Sequence, residues 1–200
     1  MPLLGITGGI ASGKSTFRKL LLERIDADAF DTDACARELL DEDDSIREQV
    51  LERVHPKAYG VEGKPNRALL RELIYKDAAK KRTLEGILHP MIRDRWSRQA
   101  REAAAANRIF VVDIPLLFET KAESLFDKIV TVACTVEVQL LRLERDRRLP
   151  REISEKIIAS QMPMGVKISR SHHVVWNEGT LETLTAQTDF LARHLHDRYG

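Results

Sequence analysis

At 200 residues, with 43% hydrophobic and 32% charged residues and a formal net charge of +1, the chain suits one globular domain, or one core carrying an inserted subdomain. The near balance of charge gives no support to a nucleic-acid partner or a disordered tail, and no apolar stretch reaches the length of a membrane span or a signal-peptide core. Two widely separated cysteines, Cys35 and Cys134, argue against a zinc site or disulfide scaffold, so a cytoplasmic protein with two reduced, mostly buried thiols is expected.

Leu3 to Thr7 reads as a short buried strand. A glycine-containing segment follows, and then Phe17, Leu20 and Leu21 recur at helical spacing. Between strand and helix lies Gly8-Gly9-Ile10-Ala11-Ser12-Gly13-Lys14-Ser15, a match to G-x-x-x-x-G-K-[ST] in the strand–loop–helix context that gives the pattern physical meaning. Its glycines let backbone N–H groups converge on phosphate oxygens, and the helix start adds positive dipole. Lys14 is expected on the β- and γ-phosphates of ATP, Ser15 on Mg²⁺ and Thr16 at the α-phosphate.

A second strand is expected over Ala27 to Phe30, ending at Asp31-Thr32-Asp33 before a helix over Ala34 to Leu40. Asp31 suits the helix N-cap; pattern alone leaves Asp33 between a cap and a carboxylate that receives an acceptor's proton. From Asp44 to about Ala106 the pattern is helical, broken by a turn from Tyr59-Gly60 to Pro65 and again at His89-Pro90. A histidine there could hydrogen-bond a substrate, but by pattern His89 caps or turns the chain.

Ile109 to Asp113, Ile129 to Val132 and His173 to Trp176 complete a set of short β-branched strands separated by helices, which implies a parallel sheet. Asp113 closes the strongest of them, where it either holds Mg²⁺ or ends the strand. Arg142 and Arg145, three apart, share a helical face; they either close over the transferring phosphate or form part of a solvated surface. The His172-His173 pair lacks further ligands at useful spacing, and Trp96 and Trp176 suit core or partly buried anchors. A closing helix over Thr180 to about Tyr199 should turn Leu181, Leu184, Thr188, Leu191 and Leu195 inward. No Asn-Lys-x-Asp motif for reading guanine is present.

Together these elements give an α/β fold: a parallel five-stranded sheet flanked by helices, of the P-loop nucleotide-kinase type. Its core covers about 1–43, 107–135 and 172–200, with a helical insertion over about 44–106 and a further helical region over about 136–171.

The phosphate loop, Asp31-Thr32-Asp33 with Ala36-Arg37, Asn66-Arg67 with Leu70-Arg71, Leu88-His89-Pro90-Met91-Ile92, Pro115-Leu116-Leu117-Phe118-Glu119, Gln139 with Arg142, Arg145 and Asp146, then Gln161 and Asn177-Glu178-Gly179 occur in an order that resembles the dephospho-coenzyme A kinases. The resemblance implies transfer of the ATP γ-phosphate to the ribose 3′-hydroxyl of dephospho-coenzyme A, the last step of coenzyme A synthesis. It makes Asp33 the base toward that hydroxyl. It places Arg67 and His89 in a coenzyme-binding subdomain, Leu116 and Glu119 on the substrate side, Arg142 and Arg145 in a lid, and Asn177 near adenine. Family members often carry glycine where Ala11 stands, so the loop must accept a Cβ there, as alanine does at negative φ. Ser171-His172 and Trp176 also depart from the family pattern, on the adenine side. Another nucleoside or nucleotide kinase and a nucleotide-dependent switch are the competing readings.

Overall fold

Short apolar runs can be buried on both faces of a sheet when helices cover them, and three such runs, flanked by two less buried edge strands, form the framework of the computed structural model, which describes residues 2–199. The strands are β1 (Leu3–Gly8), β2 (Ala27–Asp31), β3 (Ile109–Asp113), β4 (Lys128–Ala133) and β5 (His173–Trp176), in the spatial order β2-β3-β1-β4-β5. β1 runs parallel to β3, with Leu4 opposite Val111, and to β4, with Thr7 opposite Thr131; β4 and β5 are likewise parallel. The expected parallel α/β sheet is the one that forms, and each strand lies within a residue or so of its predicted limits.

Helices α1 (Lys14–Leu22), α2 (Thr32–Glu42), α3 (Asp44–Arg53), α4 (Arg67–Lys76), α5 (Ala78–Ala105), α6 (Val136–Arg147), α7 (Arg151–Ala159), α8 (Met164–Ser169) and α9 (Leu181–Tyr199) connect and follow the strands. The chain divides into two compact units, residues 1–30 with 100–200, and residues 31–99. In the first, Leu4, Ile6, Phe17, Leu21, Val130, Val132, Leu184, Leu191 and Leu195 belong to one apolar cluster, so strands, α1 and α9 share a core. Burial at roughly 25 cal/mol per Å² of apolar surface drives this assembly. The stripe predicted for α9 is buried at Leu184, Thr188, Leu191 and Leu195. Leu181 is instead 57% exposed, because it opens the helix before the stripe meets the sheet.

The second unit carries α2 to α4 and most of α5. Asp31, Asp43 and Asn66 cap α2, α3 and α4 by accepting from Ala34, Ile46 and Leu69 N–H groups, which satisfies donors that a helix start leaves open. The turn between α3 and α4 is closed by a Tyr59–Pro65 bridge and by Gly60 N–H to Lys64 C=O at 2.9 Å. The expected interruption at Pro90 does not occur: α5 runs through it for 28 residues. Proline removes one N–H and crowds the carbonyl four residues back. That residue is Gly86, beside open space, and buried Leu84, Ile87, Leu88, Ile92 and Trp96 continue the helix's apolar side across the proline.

Candidate active site

The turn from β1 into α1 places residues 9–13 so that five successive carbonyl oxygens each accept a bond from within the protein. Gly9 C=O accepts Ser12 N–H at 3.2 Å, and Gly13 C=O accepts Phe17 N–H at 3.1 Å. Between them, Ile10 C=O accepts Gln139 Nε2 at 2.6 Å, Ala11 C=O accepts Arg142 Nη1 at 3.1 Å, and Ser12 C=O accepts Asn177 Nδ2 at 2.8 Å. Carbonyls would repel an anionic ligand, so engaging them elsewhere leaves the cradle to the loop's remaining N–H donors. These exclude Ile10 N–H, which donates to Gln161 Oε1, and Ser12 N–H, which donates to Gly9 C=O. Gly13 precedes α1 at φ 87 with no side chain capping the helix, and a Cβ there would run into the Asn177 amide. Free N–H groups at a helix start form an anion site. Ser12 Oγ, buried in the same loop, has no hydrogen-bond partner.

Ala11 has φ 57, so the negative φ expected of it is not adopted. Side-chain amides and a guanidinium fix the carbonyls on either side, and the loop keeps a left-handed turn despite the methyl group.

Lys14 begins α1, and its ammonium pairs with the carboxylate of Asp113 at the end of β3. Arg18, one turn along α1, approaches the same carboxylate at 3.4 Å. Asp113 is 3% exposed and lies in register with Ile6 of β1, so the strand pairing carries it to the phosphate loop's edge. Its place among two cations meets the rule that buried charge must be paired. Arg18 was not singled out from sequence, although its four-residue spacing from Lys14 puts both on one helical face.

The two arginines of α6 have different partners. Arg142 bridges Ala11 C=O and Asn177 C=O, the latter at 2.8 Å. Arg145 hydrogen-bonds its neighbour Asp146 at 2.7 Å and 3.2 Å, and this holds the Asp146 carboxyl below the usual range. Asn177 therefore has both its side chain and its carbonyl tied to the loop and α6. Glu119, after β3, accepts Lys167 Nζ at 2.9 Å and Met162 N–H at 2.9 Å. Lys167 is fully buried; its position between Val166 and Ile168 disguised it, and Val166 is the one turned outward, at 42% exposure.

Of the remaining expected residues, Ser15 and Thr16 sit in the first turn of α1, and Leu116 lies in the segment after β3. In the other unit, Asp33 lies in the first turn of α2, which Asp31 caps at 2.9 Å. Arg67 opens α4 with Nη2 on both oxygens of Asp41, at 2.8 Å and 2.7 Å, and His89 lies exposed on α5. Both cysteines are buried and free. Trp96 is 5% exposed, whereas Trp176 is 42% exposed, since β5 is an edge strand. Among the described residues, no helix is long and apolar enough to cross a membrane.

Residues 2–183 match the family model described as dephospho-CoA kinase. A dephospho-CoA kinase of Fusobacterium nucleatum is 34% identical over 182 residues, 91% of this chain and 92% of that protein. One from Aromatoleum aromaticum is 36% identical over 198 residues, covering 98% and 93%. The crystal structure of TT1252 from Thermus thermophilus superposes with a TM-score of 0.78 at 31% identity, over 96% of each chain. The loop geometry, the sheet order and these likenesses agree: the chain belongs to the dephospho-CoA kinase family.

Proposed function

We propose that the protein transfers the γ-phosphate of ATP to the ribose 3′-hydroxyl of dephospho-coenzyme A, giving coenzyme A and ADP, and completes coenzyme A synthesis in the cytoplasm. The observation that carries this is the fence of engaged carbonyls from Gly9 to Gly13, which turns the loop's oxygens away from an anion and leaves its remaining N–H donors, beside Lys14, to meet a triphosphate. Family membership supplies the acceptor.

In this reading Gly8, Gly9, Ala11, Ser12, Gly13 and Thr16 hold the triphosphate through the loop and the start of α1. Lys14 leaves Asp113 for the β- and γ-phosphates, and Asn177 supports the loop on the adenine side. Arg67, His89 and Leu116 bind the acceptor, with residues 44–106 as its helical subdomain and 136–171 as a lid. The acceptor oxygen forms a bond to the γ-phosphorus while the bond from that phosphorus to the β,γ-bridging oxygen breaks. Asp33 receives the hydroxyl proton and returns it to solvent, and ADP departs with the bridging oxygen. Arg142 and Arg145 balance charge on the moving phosphoryl group.

The Ser15 hydroxyl and the Asp113 carboxylate are hard oxygen donors and fit Mg²⁺, which binds through one or two protein oxygens together with substrate phosphates and water. That mode needs no acidic cage, and among the described residues no group of three or more His, Cys, Asp or Glu side chains could hold a metal. When bound, Mg²⁺ would neutralise charge on the β- and γ-phosphate oxygens.

The test is a panel of acceptors, dephospho-coenzyme A beside other nucleosides and nucleotides, each incubated with ATP and analysed by mass spectrometry and phosphorus NMR. Phosphate gained at the 3′-position of dephospho-coenzyme A supports the assignment; preferential phosphorylation of another acceptor refutes it.

A further inference from the structure

The turn after α7 holds the phosphate loop through one side chain. Gln161 Oε1 accepts the Ile10 N–H at 2.9 Å, while Gln139 Nε2 donates to Ile10 C=O. Both peptide groups flanking Ile10 are thereby fixed from outside the loop. The loop closes tightly enough that a Cβ on Gly9 would strike Gln139 Nε2 and Met164 Cε.

The next residue is anchored in the opposite direction. Met162 N–H donates to Glu119 Oε1 at 2.9 Å, and the same oxygen receives Lys167 Nζ at 2.9 Å. Lys167 Nζ also approaches Pro115 C=O at 3.3 Å, an oxygen that accepts Thr7 Oγ1 at 3.1 Å. A fully buried ammonium thus gathers the segment after β3, the 161–162 turn and the end of β1. Glu119 Oε2 is buried without a hydrogen bond. Desolvating such a pair often costs more than the attraction returns, and apolar residues of similar volume can be equally stable. Stability alone therefore accounts poorly for its presence.

We propose that Gln161 is a positioning residue for the phosphate loop, and that the Lys167–Glu119 pair governs ATP affinity through it by fixing the 161–162 turn. Glu119 then acts through Met162 and Gln161 rather than on the acceptor. The inference rests on the reading of residues 8–15 as an ATP site.

The experiment measures ATP affinity by calorimetry without acceptor, alongside KM, kcat and thermal midpoint, for the parent chain, Gln161→Leu, Glu119→Gln, Lys167→Met and the Gln161→Leu/Glu119→Gln double variant. Loss of one positioning hydrogen bond should weaken ATP binding about fivefold to tenfold in Gln161→Leu, with KM for ATP rising in step, kcat within about twofold and the thermal midpoint nearly unchanged. Glu119→Gln and Lys167→Met should shift affinity the same way. The double variant should be no worse than about twofold beyond Gln161→Leu alone, because both changes break one chain of contacts. Unchanged affinity in Gln161→Leu, or multiplicative losses in the double variant, overturns the proposal. If Lys167→Met fails to fold, the Gln161 and Glu119 variants decide alone. A parent chain that binds no ATP overturns the ATP-site reading and this inference together, whereas normal parent binding with an indifferent Gln161→Leu overturns the inference only.

Discussion

Asn177 donates its side-chain amide to the carbonyl of Ser12 at 2.8 Å, joining residues 165 positions apart. The segment leaving the last strand is thus fastened to the phosphate loop that leaves the first, and both ends of the sequence shape one site. Asn177→Leu should leave Ser12 C=O unpaired beside Gly13. A net hydrogen-bond contribution of about 1 kcal/mol translates into roughly a fivefold rise in KM for ATP. Steady-state titration with ATP checks this, and an unaltered KM would show that the contact is incidental.

Ala11 occupies the left-handed region at φ 57, which costs an L-residue about 1–2 kcal/mol. Glycine removes that penalty but adds about 0.5–1 kcal/mol of backbone entropy loss. Ala11→Gly should therefore stabilise the fold by about 0.5–1 kcal/mol, a rise of roughly 1–4 °C in thermal midpoint for a chain of this size. Calorimetry that finds a lower midpoint would contradict the strain argument.

Lys14→Met should abolish turnover, since it removes the ammonium that would leave Asp113 for the β- and γ-phosphates. Asp33→Asn should fold and bind ATP while transferring phosphate about 10²- to 10⁴-fold more slowly. Rapid-quench measurement of the transfer step distinguishes the two variants. Near-normal transfer by Asp33→Asn removes that residue as the base.

Asp113→Asn should raise the Mg²⁺ concentration needed for half-maximal turnover, because a neutral amide attracts the dication less strongly. It also deprives Lys14 and Arg18 of their anionic partner. A Mg²⁺ titration identical to that of the parent would confine Asp113 to holding those cations.

Burial pushes the Cys134 thiol up to about 11 and raises Cys35 in the same direction. An acid whose pKa is raised stays protonated, so at pH 8 only about one Cys134 in a thousand is thiolate, against about a quarter for an ordinary cysteine. Iodoacetamide at pH 8 should therefore modify the native chain far more slowly than the urea-unfolded chain. Equal rates would contradict this.

The middle of the sheet was legible because β1, β3 and β4 are short apolar runs rich in β-branched residues, too short for helices and bounded by turn residues, as strands buried on both faces are. The phosphate loop was legible from eight contiguous residues, and Asp31 from its place before α2. Pro90 misled because the accommodating feature, Gly86 one turn earlier, matters only once the helix exists. Ala11 misled because its dihedral is set by Gln139, Arg142 and Asn177, all remote in sequence. Lys167 carries no periodic signal: its burial depends on Glu119, 48 positions away, and such pairing is a property of the folded chain alone.

The most direct measurement is ADP release from ATP, coupled to NADH oxidation, with and without dephospho-coenzyme A. Turnover should depend on this acceptor and saturate with it, yielding one coenzyme A for each ADP. ADP release indifferent to dephospho-coenzyme A, or absent in its presence, would contradict that expectation.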